Sequence, residues 1–335
     1  MSSPLSHRQI LENVLSGNTT HRVPVALWRH FPVDDQTPHT LAAATLAFQR
    51  AFDFDLVKVT PASSFCIKNW GSVDTWQGNP EGTREYGKPV IQTKEDWKKL
   101  KPLNPATGAL ADQIECLKLL KAELGSHTPI VQTIFSPLAQ AKNLAGKTHL
   151  LAYLRQHPDL LHEGLKTITQ TTIRFIEACE QTGIDGIFYA VQHASVDLLS
   201  QSEFSEFGKN YDLQVLGAIN RMWLNVAHIH GENLMFDQVS DYPVQILNWH
   251  DRHTKPDLKN AQLEFSGVVC GGLRRWETMV LGTPDEIEKE ARDALEQTGG
   301  RRFILGTGCV LPITAPYGNI MKARQCAYLL ESWAH

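Results

Sequence analysis

The sequence predicts an α/β protein: a single (β/α)8 barrel domain over residues 1–335, with an inserted loop or lid after the second strand. Three observations carry this. Eight short apolar, β-branched runs recur along the chain, longer amphipathic stretches separate them, and no internal repeat or low-complexity linker marks a second domain. A chain of 335 residues is long enough to bury one large core of this kind.

In chain order the strand runs are RVPVALW (22–28), FDLVKVT (54–60), PIVQTIF (129–135), GIDGIFYAV (183–191), WLNVAHIH (223–230), PVQILNW (243–249), LEFSGVV (263–269) and RRFILGTG (301–308). Helical patterns lie between them at 39–52, 157–183 and 283–299. The last begins on a Thr283 cap, with Asp285 and Glu286 in its first turn. The stretch 66–104, rich in Trp, Gly and charge, is too long for a simple crossover, and the insertion is placed there.

Composition narrows the function classes. The net charge is −4 and no Lys/Arg run carries interleaved aromatics, so no electrostatic footprint for nucleic acid is present. The N-terminal stretch lacks signal-peptide organisation, and no apolar run reaches about 18 residues. A cytoplasmic protein without a membrane segment is expected. Six cysteines without framework spacing read as reduced thiols, and Cys66, Cys116, Cys179 and Cys326 as small buried hydrophobes.

In a barrel of this type chemistry belongs at the C-terminal strand ends. Those ends carry Trp28, Arg29 and His30; Thr60; Ser136; Gln192 and His193; His228 and His230; Asn248 and His250; Cys270; and Thr307 with Cys309. Residues i and i+2 of a strand share a face, so His228 and His230 project together while Ile229 turns away. Two imidazoles on one face can chelate, and Cys309, among glycines at the eighth strand end, supplies a third ligand. The expectation is a His-His-Cys zinc site with one open position. Taken alone, a His-x-His pair is more often hydrogen-bonded than ligating.

Further assignments follow from position. Glu232 is read as a catalytic base or ligand, or else as the cap of a helix beginning near Leu234; His250 is read as a catalytic acid or base. Trp28, Arg29, His30, Gln192, His193 and Asn248 are read as substrate-binding, with Arg29 the anchor for an anionic group. Cys270 is a spare ligand. Asp251 and Arg252 read as a local ion pair of little weight. The GTG at 306–308 lacks the dinucleotide-binding pattern.

Taken together, LENVLSGNTTHRVPVALW, GIDGIFYAVQHASVDLLSQSEFSEF, HIHGEN, ILNWHDR, GGLRRWETMVLGTPDEI and ILGTGCVLPITAPYGNIMKA resemble the uroporphyrinogen decarboxylase superfamily in order along nearly the whole chain. The resemblance implies one (β/α)8 barrel and either of two chemistries. Decarboxylases of the family are expected to carry an Arg-Gln-Ala-Gly-Arg stretch after the first strand, an Asp after the second, and a late Gly-His-Gly. Here LWRHFPVDD, KVTPASS and GTGC stand in those places, and only Arg29 matches. The zinc-dependent, corrinoid-linked methyltransferase branch carries His-x-Cys after the fifth strand and Gly-Cys after the eighth. His228 and Cys309 match, and His230 stands in place of the first Cys, which retains a ligand and removes a negative charge.

The resemblance therefore implies a zinc-dependent methyltransferase that activates a small nucleophile. The methyl donor would be a corrinoid on a separate carrier protein, because no segment here resembles a corrinoid-binding module. The alternatives are a carboxy-lyase acting on a carboxylated tetrapyrrole or smaller acid, with Arg29 as anchor and no metal, and a ligand-binding barrel without catalysis.

Overall fold

The computed structural model describes residues 5–219 and 221–332. Helix α1 (His7–Leu15) opens on a Ser6/Gln9 capping box and leads into β1 (Val25–Ala26). Then come α2 (Pro38–Phe52) and β2 (Val57–Val59), followed by an antiparallel pair, β3 (Asp74–Thr75) and β4 (Glu85–Tyr86). The chain continues through α3 (Gly108–Leu124), β5 (Ile130–Phe135), α4 (Pro137–Ala145), α5 (Lys147–Gln156), α6 (Pro158–Glu180) and β6 (Gly186–Val191). Next are α7 (Gln201–Phe204), α8 (Asn210–Leu216), β7 (Val226–Ile229), β8 (Ile246–Trp249), α9 (Leu258–Glu264) and β9 (Val268–Leu273). It ends with α10 (Pro284–Thr298), β10 (Phe303–Thr307) and α11 (Tyr317–Gln325).

Eight parallel strands run in the order β1-β10-β9-β8-β7-β6-β5-β2 and form a nearly closed barrel. Asp55 joins the two end strands: its N–H donates to the Val25 carbonyl at 2.9 Å, and its carboxylate accepts the Val25 N–H at 2.8 Å.

The two-residue period of the strands sorts the core into two apolar layers. Phe188, Val226, Ile246, Val268 and Ile304 pack together inside the barrel, while Ala227, Leu247, Val269 and Phe303 belong to the layer between strands and helices. His228 and Asn248 follow Val226 and Ile246 by two residues, so they stand on the inner face, and the register sets them side by side.

The seventh expected strand begins later than its apolar run. Leu263 and Glu264 end α9, whose Asp257 cap accepts the Asn260 N–H, and β9 begins only at Val268. Cys270 therefore lies within a strand rather than at its end.

Between β2 and α3 the chain makes two short 3-10 turns and the β3/β4 pair. The fully buried Trp97 anchors it on α6, where a Cβ at Gly164 would come within 2.3 Å of the indole. Among the described residues, no helix is long and apolar enough to cross a membrane.

Candidate metal centre

The C-terminal end of the barrel gathers His228, His230, His250 and Cys309, with one ligand atom from each lying within 4.8 Å of the others. Strand β7 carries His228, and the segments immediately after β7, β8 and β10 deliver His230, His250 and Cys309. The Cys309 Sγ is 3.8 Å from His230 Nδ1, and the His230 and His250 rings are 5.4 Å apart.

Gly308 permits the last approach, since a Cβ there would lie 2.6 Å from the His250 Cα. The expected His228, His230 and Cys309 set is thus brought together, with His250 as a fourth donor. The sequence reads His250 as an acid or base at this rim, and its ring lies within the same cluster.

Hydrogen bonding fixes the His228 tautomer. Asn248 Nδ2 donates to the Cys270 carbonyl at 2.9 Å and the Thr307 carbonyl at 3.0 Å, so its Oδ1 faces His228 Nδ1 at 2.7 Å as an acceptor. His228 Nδ1 must carry the proton. Nε2 is left with its lone pair, buried and without a hydrogen-bond partner among the described residues.

Three imidazoles and a thiol form a donor set suited to Zn²⁺ or a related transition ion, and an orphaned imidazole lone pair inside that set fits an ion. Burial alone would push the Cys309 thiol up, but the surrounding histidines bring it well below the ordinary thiol range. Burial pushes His228 down and so favours the neutral, ligating form.

A cavity of about 270 Å³ opens beside the cluster, at the small end of ligand sites. Trp28, His30 and Gln192, read from the sequence as substrate-binding, line it together with His228, His230 and Cys309. His193 lines a smaller adjoining cavity of about 190 Å³, where its Nδ1 is buried without a hydrogen-bond partner among the described residues. Burial holds both His30 and His193 at about 3, hence neutral.

Several sequence assignments change. Arg29 is not among the residues lining the cavity: its guanidinium packs over the Phe31 and Phe48 rings at 5.2 and 5.8 Å and donates to the Ile313 carbonyl. The cations on the cavity wall are Lys58, Lys142 and Arg84. Asn248 positions His228 rather than lining the cavity.

Glu232 is exposed and outside the cluster; its backbone carbonyl accepts the Ser195 hydroxyl. Nor does it cap a helix, because the next turn is a 3-10 segment, Phe236–Gln238, flanked by Met235. Cys270 is buried, its thiol pushed up by burial, and it is absent from the ligand cluster. Asp251 accepts the Gly272 N–H with both oxygens, and Arg252 pairs with Asp293, so the Asp251–Arg252 pair is secondary.

Among the missed residues, Lys58 had a signal: a cation between two valines in the apolar run 54–60. Arg84 had none, since its place is set by an ion pair to the distant Asp35 at 2.8 Å.

Known proteins share this architecture at low sequence identity. A methyltransferase from Methanosarcina mazei superposes with a TM-score of 0.85 over 99% of this chain and 100% of that one, at 20% identity. A B12-independent methionine synthase from Shewanella sp. W3-18-1 aligns with a TM-score of 0.58 at 13% identity over 93% and 94% of the two chains. By sequence, the chain is 22% identical to Methylcobamide:CoM methyltransferase MtbA of Methanosarcina mazei, over 71% of this chain and 69% of that protein. It is 26% identical to a uroporphyrinogen decarboxylase of Syntrophotalea carbinolica, over 68% and 67%. The family described as Uroporphyrinogen decarboxylase (URO-D) matches residues 6–328, and the chain belongs to that family.

Proposed function

We propose that this protein is a zinc-dependent methyltransferase that moves a methyl group from a corrinoid, held by a separate carrier protein, to a small nucleophile such as a thiol. The observation that carries the reading is the four-donor cluster at the barrel mouth. Relatives named as methylcobamide methyltransferases support the reaction class.

His228, His230 and Cys309 would hold the ion. Zn²⁺ bound there supplies Lewis acidity, lowering the pKa of a thiol so that it is present as the attacking thiolate. Asn248 keeps the His228 lone pair directed into the cluster. His250, in the same cluster, takes the proton of the incoming nucleophile.

The rings of Trp28 and Phe188 exclude water from the cavity floor, and Glu81, Thr83, Arg84 and Tyr86 of the segment between β2 and β5 line its wall. We read that segment as the lid. A macrocycle with eight carboxylates fits poorly in a cavity of this size with Arg29 turned elsewhere.

The test runs two anaerobic assays on metal-analysed protein: methyl transfer from methylcobalamin to simple thiols, and decarboxylation of uroporphyrinogen. Stoichiometric zinc with thiol methylation is the expected result. Zinc-free protein that decarboxylates uroporphyrinogen at roughly 1 per second or faster overturns the proposal.

A further inference from the structure

Lys58 is the one charged residue of β2, whose three residues are all buried, and its side chain lines the main cavity. Its Nζ has a single hydrogen-bond partner, Thr60 Oγ1 at 3.2 Å, and no carboxylate within ion-pair distance among the described residues. The ring of Phe188 lies 4.6 Å from Nζ and that of Trp28 5.9 Å. On the cavity wall Cys309 and His30 interact electrostatically with Lys58, while the carboxylate of Glu81 pairs with Arg275 at 2.7 Å rather than with Lys58.

A buried ion pair would have satisfied a structural lysine; this one stands without any. Lys142, on the same wall, hydrogen-bonds Gln192 Oε1 at 3.1 Å and likewise has no carboxylate partner. The metal-dependent reading gives Lys58 no task.

We propose that Lys58 is a nucleophilic amine that forms an imine with a small carbonyl compound, a 2-oxo acid whose carboxylate pairs with Lys142. A lysine desolvated in an apolar pocket is an activated nucleophile because its amine is free of a proton. Nζ adds to the carbonyl carbon, the carbonyl oxygen becomes the carbinolamine hydroxyl, and that hydroxyl leaves as water with a proton from solvent. The product is a protonated imine.

The faces of Phe188 and Trp28 are suited to the resulting cation. Burial pushes the Lys58 amine down to about 7, consistent with a substantial neutral fraction in the cell. The inference uses no metal and stands or falls apart from the methyltransferase reading.

The experiment incubates the whole protein with pyruvate and sodium cyanoborohydride at pH 7.5, followed by peptide mass mapping. Reductive trapping at Lys58, saturable in pyruvate and on the order of a hundredfold faster than at exposed lysines, is expected. Lys58→Arg should lose that adduct while retaining the native circular dichroism, and Cys309→Ser should keep it. Butyrate should compete with pyruvate and butyramide should not. Labelling spread over surface lysines, or labelling of Lys58 that rises linearly without saturation, overturns the proposal. Should Lys58→Arg fail to fold, the saturation and competition results on the wild-type protein decide it.

Discussion

At the scale of single residues, the candidate centre turns on which atoms have lone pairs to offer. His230→Ala or Cys309→Ala should abolish stoichiometric zinc, whereas Cys66→Ala should not, because Cys66 is buried away from the cluster and its thiol is pushed up to about 12. Elemental analysis of the purified variants checks this; zinc retained at one per chain in Cys309→Ala removes Cys309 from the ligand set.

Asn248→Leu tests positioning. Without the amide oxygen His228 is free to adopt the other tautomer, and metal affinity should fall by about 10- to 100-fold with the four donors intact. Competition with a chromophoric chelator measures it, and an unchanged affinity would show that the amide plays no part in orienting the imidazole.

At the scale of elements, close packing between strands is the exposed point. A Cβ at Gly186, the first residue of β6, would lie 1.7 Å from the Leu224 carbonyl just before β7, so Gly186→Ala must push these two strands apart. A loss of about 3 kcal/mol in denaturant unfolding is expected. Because β7 carries His228 and leads directly into His230, zinc binding should weaken along with stability.

Helix α10 offers a contrast. The capping box of Thr283 and Glu286 is exposed and far in sequence from the ligands, so Thr283→Ala should cost about 1 kcal/mol and leave zinc binding unchanged.

For the whole molecule, the end of the barrel opposite the cavity is tied by charge. His7 bonds Asp53 at 2.9 Å and Asp55 at 2.8 Å, and Arg22 and Arg324 complete the network. Burial pushes the His7 imidazole down, but these two carboxylates outweigh it and raise it to about 9.

A raised folded value means the stabilisation is complete below the unfolded value of about 6.5 and is lost as pH climbs through 9. Relative to His7→Gln, the wild-type protein should therefore lose stability between pH 6.5 and 9. Parallel unfolding curves for the two proteins across that window would remove the imidazole from the network. Metal removal should act differently, lowering Tm without unfolding the chain, because the barrel core is complete without the ligands.

Much of this was legible in the chain itself. The eight strands follow from apolar runs of the right length, and the His228/His230 pairing follows from the two-residue period of a strand, both of which are local properties of the backbone. Cys309 was legible because strand ends in a barrel share one rim.

Arg29 was misplaced and Lys58 was missed for a shared reason. Where a long side chain goes depends on what it packs against, and here Arg29 meets Phe31 and Phe48 while Lys58 meets Phe188, which lies on a strand far along the chain. The sequence by itself determined which residue types stand at the rim and on which face of each strand. Only the tertiary structure decided the neighbours: Asn248 against His228 through the β7/β8 register, and Cys309 against His230 across 79 residues of chain. Lateral contacts in a closed sheet depend on register and closure, which no single strand encodes.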